Sequence, residues 1–441
     1  MQFNTLAKTC AGVVLPFVMV ACGGGGSSSS SNSTTESYVL SGTVSGLTTD
    51  GLVISNGSST LALGSGASSF SFGSTSGSYA IKVATQPDGQ TCSVSNGSGT
   101  LAATVSNVAV SCRGYMAYVT NGSSSSIGQF SVTSGSGLLV PLSTATISTS
   151  YQPSTIMLTS DGKYAYVAHG NNKAIAAYSV SSAGLSSLGS VNGASNSYAL
   201  AISPGNSYLY SADYSAVTVS QFTIGTDGLP AAMSPATVTA GVNPNGMVVA
   251  PNGKYAYVIN SSANTISQYS VGSNGALTAL STATFDVSSI GTGPQALAID
   301  QNSSYLYVAL LGSNKVAQLK IGSTGLLSVM SPSSVIAGTS PNGIVLSSNG
   351  KYAYVTNGGS STVSQYLISS GALTAMSTSS VATGNGPVAL AISPDGKYVY
   401  TSNYTASTIS QFSVGSAGAL TALSTASISS NGTYPTGIAV R

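Results

Sequence analysis

Tryptophan is absent from the 441 residues, and histidine and glutamate occur once each, as His169 and Glu36. Arginine occurs only as Arg113 and Arg441. A zinc site of three histidines therefore cannot be built, and any Ser-His-Asp triad would have to use His169. Charge is equally scarce: 5% of residues carry it, 11 basic against 9 acidic, for a formal net charge of +2. No basic face can neutralise a run of phosphates, which excludes nucleic acid as a partner. No Asp-rich loop recommends calcium, and neither a metal nor a cofactor is expected. Disorder is disfavoured, because 42% of the residues are hydrophobic and so much apolar surface would collapse. The apolar stretch at residues 11–21 is too short to cross a bilayer as an ordinary helix.

What is present begins with that stretch. Preceded by Lys8, it reads as a secretion signal over residues 1–21, to be kept out of the fold. Met19-Val20-Ala21-Cys22, followed by four glycines and five serines, resembles a bacterial lipobox with its tether, with Met19 in place of the commoner leucine. The resemblance implies cleavage before Cys22, lipid on its sulfur and acylation of the new amino group, an anchor of several chains that holds a protein to a membrane. Gly23 after Cys22, rather than Asp, resembles lipoproteins sent to an outer membrane, which implies a cell-envelope location outside the cytoplasm. The alternative is a plain secretion signal with an incidental cysteine. Residues 22–36 are nearly all Gly, Ser, Asn and Thr and read as a flexible tether. With Cys10 inside the signal and Cys22 lipidated, Cys92 and Cys112 remain as a pair, and a disulfide is expected in an oxidising compartment.

Residues 37–112 show short period-two segments such as "SYVLSGTV", "LVISN" and "TVSNVAVSC", with Asn-Gly turns at 56–57 and 96–97. A small β-sandwich of the Ig-like kind is expected, stapled by the Cys92–Cys112 link. This stretch resembles modules that precede propellers in bacterial surface lipoproteins, a likeness of fold alone.

From residue 113 the chain repeats. Tyrosine pairs recur at 115/118, 164/166, 208/210, 255/257, 305/307, 352/354 and 398/400, with second tyrosines spaced 44 to 50 residues apart. Each complete unit, as in residues 340–377, runs from an apolar strand through an Asn-Gly turn to the tyrosine strand, a third strand and a Ser/Thr-rich fourth. Four strands per unit and seven units predict an all-β, seven-bladed β-propeller over 113–441. The chain ends on a first strand, "YPTGIAVR", and the repeats open on a second strand, "YMAYVTN". Pairing 437–440 with 115–120 would complete one blade and close the ring.

The Y-V-T-N at 118–121 and 354–357, with "SPDGKYVY" at 393–400, resembles the YVTN repeat of the lactonase-like seven-bladed propellers, the 6-phosphogluconolactonase-like family. The resemblance covers about three quarters of the chain. Some members open sugar lactones or interconvert ring lactones with acid, base and Arg groups at the channel mouth, so it implies a lactonase-like hydrolase or isomerase as one reading.

The residues themselves favour the other. Lys163, Lys254, Lys351 and Lys397 follow first-to-second-strand turns and belong to the face opposite such a mouth, as solvated turn residues. On the mouth side the position ending each tyrosine strand is Asn121, His169, Asp213, Asn260, Leu310, Asn357 and Asn403. His169 and Asp213 break the pattern, and Lys173, Lys315 and Asp286 sit in nearby loops and crossings. The candidate catalytic set is His169 as general base, Asp213 to orient it and Lys173 for an anionic group. Against it stands the reading of His169 and Asp213 as turn formers in diverged repeats. The recurring Gln-aromatic pairs, Gln129-Phe130, Gln221-Phe222, Gln268-Tyr269, Gln365-Tyr366 and Gln411-Phe412, read as packing between blades. The expectation is a monomeric, membrane-anchored binding or scaffold module for an envelope protein or glycan, with the lactonase reading second.

Overall fold

The computed structural model describes residues 36–193 and 195–441. The expected signal segment 1–21, Cys22 and all of the expected tether but Glu36 lie outside the described residues.

The first module is two four-stranded sheets. In one, Tyr38–Ser45 lies between Ser69–Thr75 and Val105–Gly114, with Gln90–Ser95 at the edge; in the other, Leu52–Asn56 and Gly77–Thr85 are flanked by Ser59–Leu63 and Ser98–Leu101. Alternation puts every second side chain inward, so Leu40, Val44, Leu52, Ile54, Phe70, Ile81, Val108 and Val110 make one core. Tyr38–Ser45 and Val105–Gly114 run parallel. Cys92 and Cys112 stand directly opposite each other on antiparallel strands and are joined by a disulfide.

Seven further four-stranded sheets follow. Blade I comprises Met116–Asn121, Ser126–Val132 and Leu139–Ser148; blade II runs from Pro153 to Asn192, III from Ser197 to Thr239, IV from Pro244 to Asp286, V from Pro294 to Ile336, VI from Pro341 to Ala382 and VII from Pro387 to Ser429. The last strand, Pro435–Val440, pairs with Met116–Asn121 in register Ile438 to Val119 and supplies the innermost strand of blade I. First strands of adjacent blades pack side by side around the whole ring, VII against I included.

Two repeated devices join the blades. The second tyrosine of a pair is fully buried and, in six blades, donates to a glycine carbonyl in the third-to-fourth-strand turn of the next blade, as from Tyr210 to Gly275 (2.6 Å), Tyr257 to Gly325 (2.6 Å) and, across the seam, Tyr400 to Gly137 (2.6 Å). That glycine has positive φ, and the neighbouring blade's tyrosine lies flat on it: a Cβ added to Gly325 would fall 2.3 Å from the Tyr255 ring. Blade I breaks the rule for a legible reason. Ala183 holds the corresponding turn position of blade II, the glycine has moved to 184, and the buried Tyr118 hydroxyl has no hydrogen-bond partner among the described residues.

Glutamine is the second device. Gln268 donates to the Thr282 carbonyl of its own blade and accepts from the Leu327 amide of the next, at 2.8 Å each; Gln129, Gln221, Gln365 and Gln411 do likewise. Gln318 belongs to the same set, although Leu319 replaces its aromatic neighbour. Blade II has Ala177 at this position and faces Pro230, whose nitrogen carries no hydrogen to offer.

The sandwich sits against the face that carries the first-to-second-strand turns. Val105–Gly114 runs straight into the propeller, the Tyr115 amide donates to the Gly89 carbonyl, and Arg113 donates to the Gly162 and Asp161 carbonyls of blade II. Lys397 differs from the solvated residue expected from its turn: it pairs with Asp88 of the sandwich at 2.6 Å. An exposed pair of this kind contributes no more than about 1 kcal/mol, so it orients the junction more than it stabilises it.

Candidate functional site

The loops after the second strands and the crossings between blades share the opposite face. Where they converge over blades VII, I, II and III, a cavity of about 320 Å3 opens, lined by Gly122, Ser123, Gln152, Pro153, Ser154, Gly170, Asn171, Tyr198, Tyr404 and Thr436. First-strand starts make its floor: Thr436 donates to the Pro153 carbonyl (2.8 Å), and Ser154 donates to the Ser197 carbonyl (2.9 Å). Tyrosines make its rim. Tyr404 packs against Tyr434 and Tyr198 against Tyr214 as tilted ring pairs, each with centroids 4.8 Å apart, while Tyr198, Tyr404 and Tyr434 remain 41–43% exposed. Among the described residues no carboxylate, imidazole, guanidinium or ammonium lines this mouth. It offers aromatic faces, amides and hydroxyls, the equipment for a neutral, polyhydroxylated ligand.

The predicted catalytic residues lie elsewhere. The side chains that end the tyrosine strands do not reach the mouth but point outward within their blades, beneath the crossings, where all seven are buried. The pleat explains it: the mouth is lined by the residues that follow, Gly122, Gly170 and Tyr404. In blade IV, Asn260 accepts from the Gly241 amide and donates to Thr265 and Ser267; Asn357 repeats this with Gly338, Thr362 and Ser364. Asp213 holds the same place in blade III and accepts from Ser211, Thr218 and Ser220, the last at 2.6 Å. It is a blade-internal knot of the same design, with the hydroxyls turned to donate to a carboxylate.

His169 is 2% exposed and lines a separate cavity in blade II, its Nδ1 2.9 Å from the Ala174 carbonyl and its ring edge-on to Tyr151. Burial holds its pKa below the ordinary value, against an opposite pull from that carbonyl. Lys173 is exposed on the adjoining loop, Lys315 opens the third strand of blade V, and Asp286 is exposed at the end of a fourth strand, accepting from the Ser288 amide. No three His, Cys, Asp or Glu side chains among the described residues gather closely enough to hold a metal ion.

The mouth tyrosines escape a reading of the repeat because tyrosine also builds the blades. Their signal is positional: Tyr214 and Tyr404 follow directly on a tyrosine strand, and Tyr198 and Tyr434 flank the start of a first strand, all outside the seven pairs.

The comparisons agree with this geometry at the level of fold. The chain resembles in structure a protein provisionally assigned as a 6-phosphogluconolactonase from Bacteroides fragilis (22% identity, TM-score 0.65, 74% of this chain and 98% of that one). It likewise resembles a periplasmic gluconolactonase from Pseudomonas aeruginosa (19%, 0.63, 74% and 98%) and a functionally unknown protein from Desulfotomaculum acetoxidans (17%, 0.61, 74% and 98%). No curated protein matches it in sequence. The family described as Lactonase, 7-bladed beta-propeller matches residues 113–245, 230–335 and 311–441, end to end over the seven blades. With the closed ring and its tyrosine repeat, that match makes the chain a member of the lactonase seven-bladed β-propeller family.

Proposed function

We propose that this protein binds a neutral sugar, free, within a glycan or in ring-lactone form, at the tyrosine-rimmed mouth, and holds it without opening it. The chemistry of the mouth carries this reading: the exposed faces of Tyr198 and Tyr404 beside Gln152, Ser154 and Asn171, with no charged side chain lining it among the described residues. Membership of a lactonase family supports the ligand class. Lactone hydrolysis is the second reading, favoured by that family alone. Calorimetric titration with neutral sugars and glucono-δ-lactone, beside a pH-stat assay of lactone opening, separates the two. Binding that weakens about tenfold in Tyr404→Ala, with lactone opening at the blank rate, is expected. Opening well above the blank would replace the binding reading with catalysis, and its loss in His169→Ala would trace that catalysis to blade II.

Lipid on Cys22 would hold this module at the cell envelope, a proposal supported by Met19-Val20-Ala21-Cys22 and the Gly/Ser run behind it. Labelling of cells with an alkyne fatty acid is expected to mark the wild type and not Cys22→Ser. A label retained by the variant, or absent from both, overturns the anchor.

A further inference from the structure

We propose that the mouth is a two-ring site, taking two linked sugar units of a neutral oligosaccharide, one laid on Tyr404 and the next on Tyr198. The inference rests on the sugar-binding reading above and narrows it from any neutral sugar to one of at least two rings.

The order of residues around the propeller carries it. The position that follows each tyrosine strand is Gly122, Gly170, Tyr214, Ser261, Leu311, Gly358 and Tyr404 in blades I to VII. At this position only blades III and VII supply an aromatic side chain, and the two blades between them, I and II, supply glycine. Neither glycine puts a side chain between the platforms, and Tyr198 of blade III and Tyr404 of blade VII line one cavity. A pyranose lays its C–H face on a single tyrosine ring, so one sugar unit leaves the other platform bare. The cavity, at about 320 Å3, falls within the range of roughly 300–1,000 Å3 that holds drug-sized ligands, which is room for more than one small ring. Polar groups to meet the hydroxyls come from the blades in between: Ser123 from blade I, and Gln152, Ser154 and Asn171 from blade II and the crossing into it.

Both platforms are fixed in advance. The Tyr404 amide donates to the Gly386 carbonyl (2.7 Å) and the Tyr214 amide to the Asn196 carbonyl (2.9 Å), and each exposed ring is braced by its tilted partner. Tyr434 shows what is given up to brace the first. The residue before the first-strand proline has positive φ in five blades, and four of them use Asn243, Gly293, Ser340 or Gly386 there. Blade I uses Tyr434, at φ +53°, a backbone conformation that glycine and asparagine take readily and a bulky aromatic residue rarely does. Its side chain packs against Tyr404 and its carbonyl accepts from the Gly122 amide (2.9 Å), so the unfavoured conformation is kept where it shapes the rim, as at a working site. Platforms held this way are not ordered by the ligand, and a second ring tied to the first meets its platform at high effective concentration.

Calorimetric titration of the full-length protein with D-glucose, maltose, maltotriose, cellobiose and cellotriose tests the inference. At least one oligosaccharide is expected to bind at least about tenfold tighter than glucose, and that ratio is expected to fall close to one in Tyr198→Ala and in Gly170→Leu. The second variant sets bulk beside the Tyr198 ring without disturbing the blade, because a Cβ added to Gly170 meets Ser154 and Tyr198 at an ordinary 3.5 Å. Glucose binding with no oligosaccharide preferred overturns the two-ring site and leaves the sugar reading standing. A preference that both variants retain also overturns it, by placing the second ring elsewhere. Binding of none of the five removes the sugar reading and the two-ring site together.

Discussion

Deleting residues 435–441 is expected to abolish cooperative folding and send the protein into aggregates on expression or gentle warming. The lost strand carries Ile438 and Val440, 7% and 9% exposed, and burying two such side chains contributes about 3–6 kcal/mol. Total stability for a domain is about 5–15 kcal/mol, so that loss alone takes a large share. The larger consequence is at the partner strand. Met116–Asn121 is buried along its whole length, and removing its neighbour leaves its backbone donors and acceptors as an open edge in an apolar setting. Size-exclusion chromatography and a thermal melt of the truncated chain measure this. A monomer with an unchanged melting temperature would show that closure contributes nothing.

Gly325→Ala is expected to destabilise the protein by about 2–5 kcal/mol. Residue 325 sits at φ +83°, where an L side chain costs about 1–2 kcal/mol, and the added Cβ would meet the Tyr255 ring at 2.3 Å, an overpacking worth about 1–3 kcal/mol more. The ring cannot retreat freely, since its hydroxyl is bound to the Ser323 carbonyl and the adjacent Tyr257 to Gly325 itself. Gly253, in the first-to-second-strand turn of blade IV, separates the two contributions. It has φ +70° but nothing within 4 Å of its virtual Cβ, so Gly253→Ala carries the backbone cost alone. Urea denaturation midpoints of both variants give the comparison, and equal losses would show that the ring contact does not matter.

These two positions mark what the sequence makes legible. The tyrosine pairs, the turn glycines and the stranded first strand at "YPTGIAVR" are periodic or conspicuously incomplete, and both properties can be read without coordinates. Gln318 shows the limit of reading by motif: it bonds like its counterparts, yet its neighbour Leu319 takes it out of the Gln-aromatic pattern. Lys397 shows another, because its turn matches those of Lys254 and Lys351 while its partner Asp88 lies 309 residues away.

The site was least visible. His169 and Asp213 could be found as exceptions, but which way a strand's last side chain faces depends on the pleat and on the crossing above it. Ser150, where five of the other six blades have glycine, is the local sign that this crossing of blade II departs from the repeat. Fourteen of the 24 tyrosines belong to the structural pairs, so those of the mouth were hidden among residues of their own kind.

The parallel pairing of Tyr38–Ser45 with Val105–Gly114 has a mechanical consequence. The first strand begins at the end of the sandwich remote from the propeller, and the last leaves at the end beside it. Tension between a held N-terminal segment and a ligand gripped at the mouth would slide these two strands past each other along their length. Their backbone bonds would then share the load and fail together, not unzip one at a time, making the small module a stiff link in series with the ring.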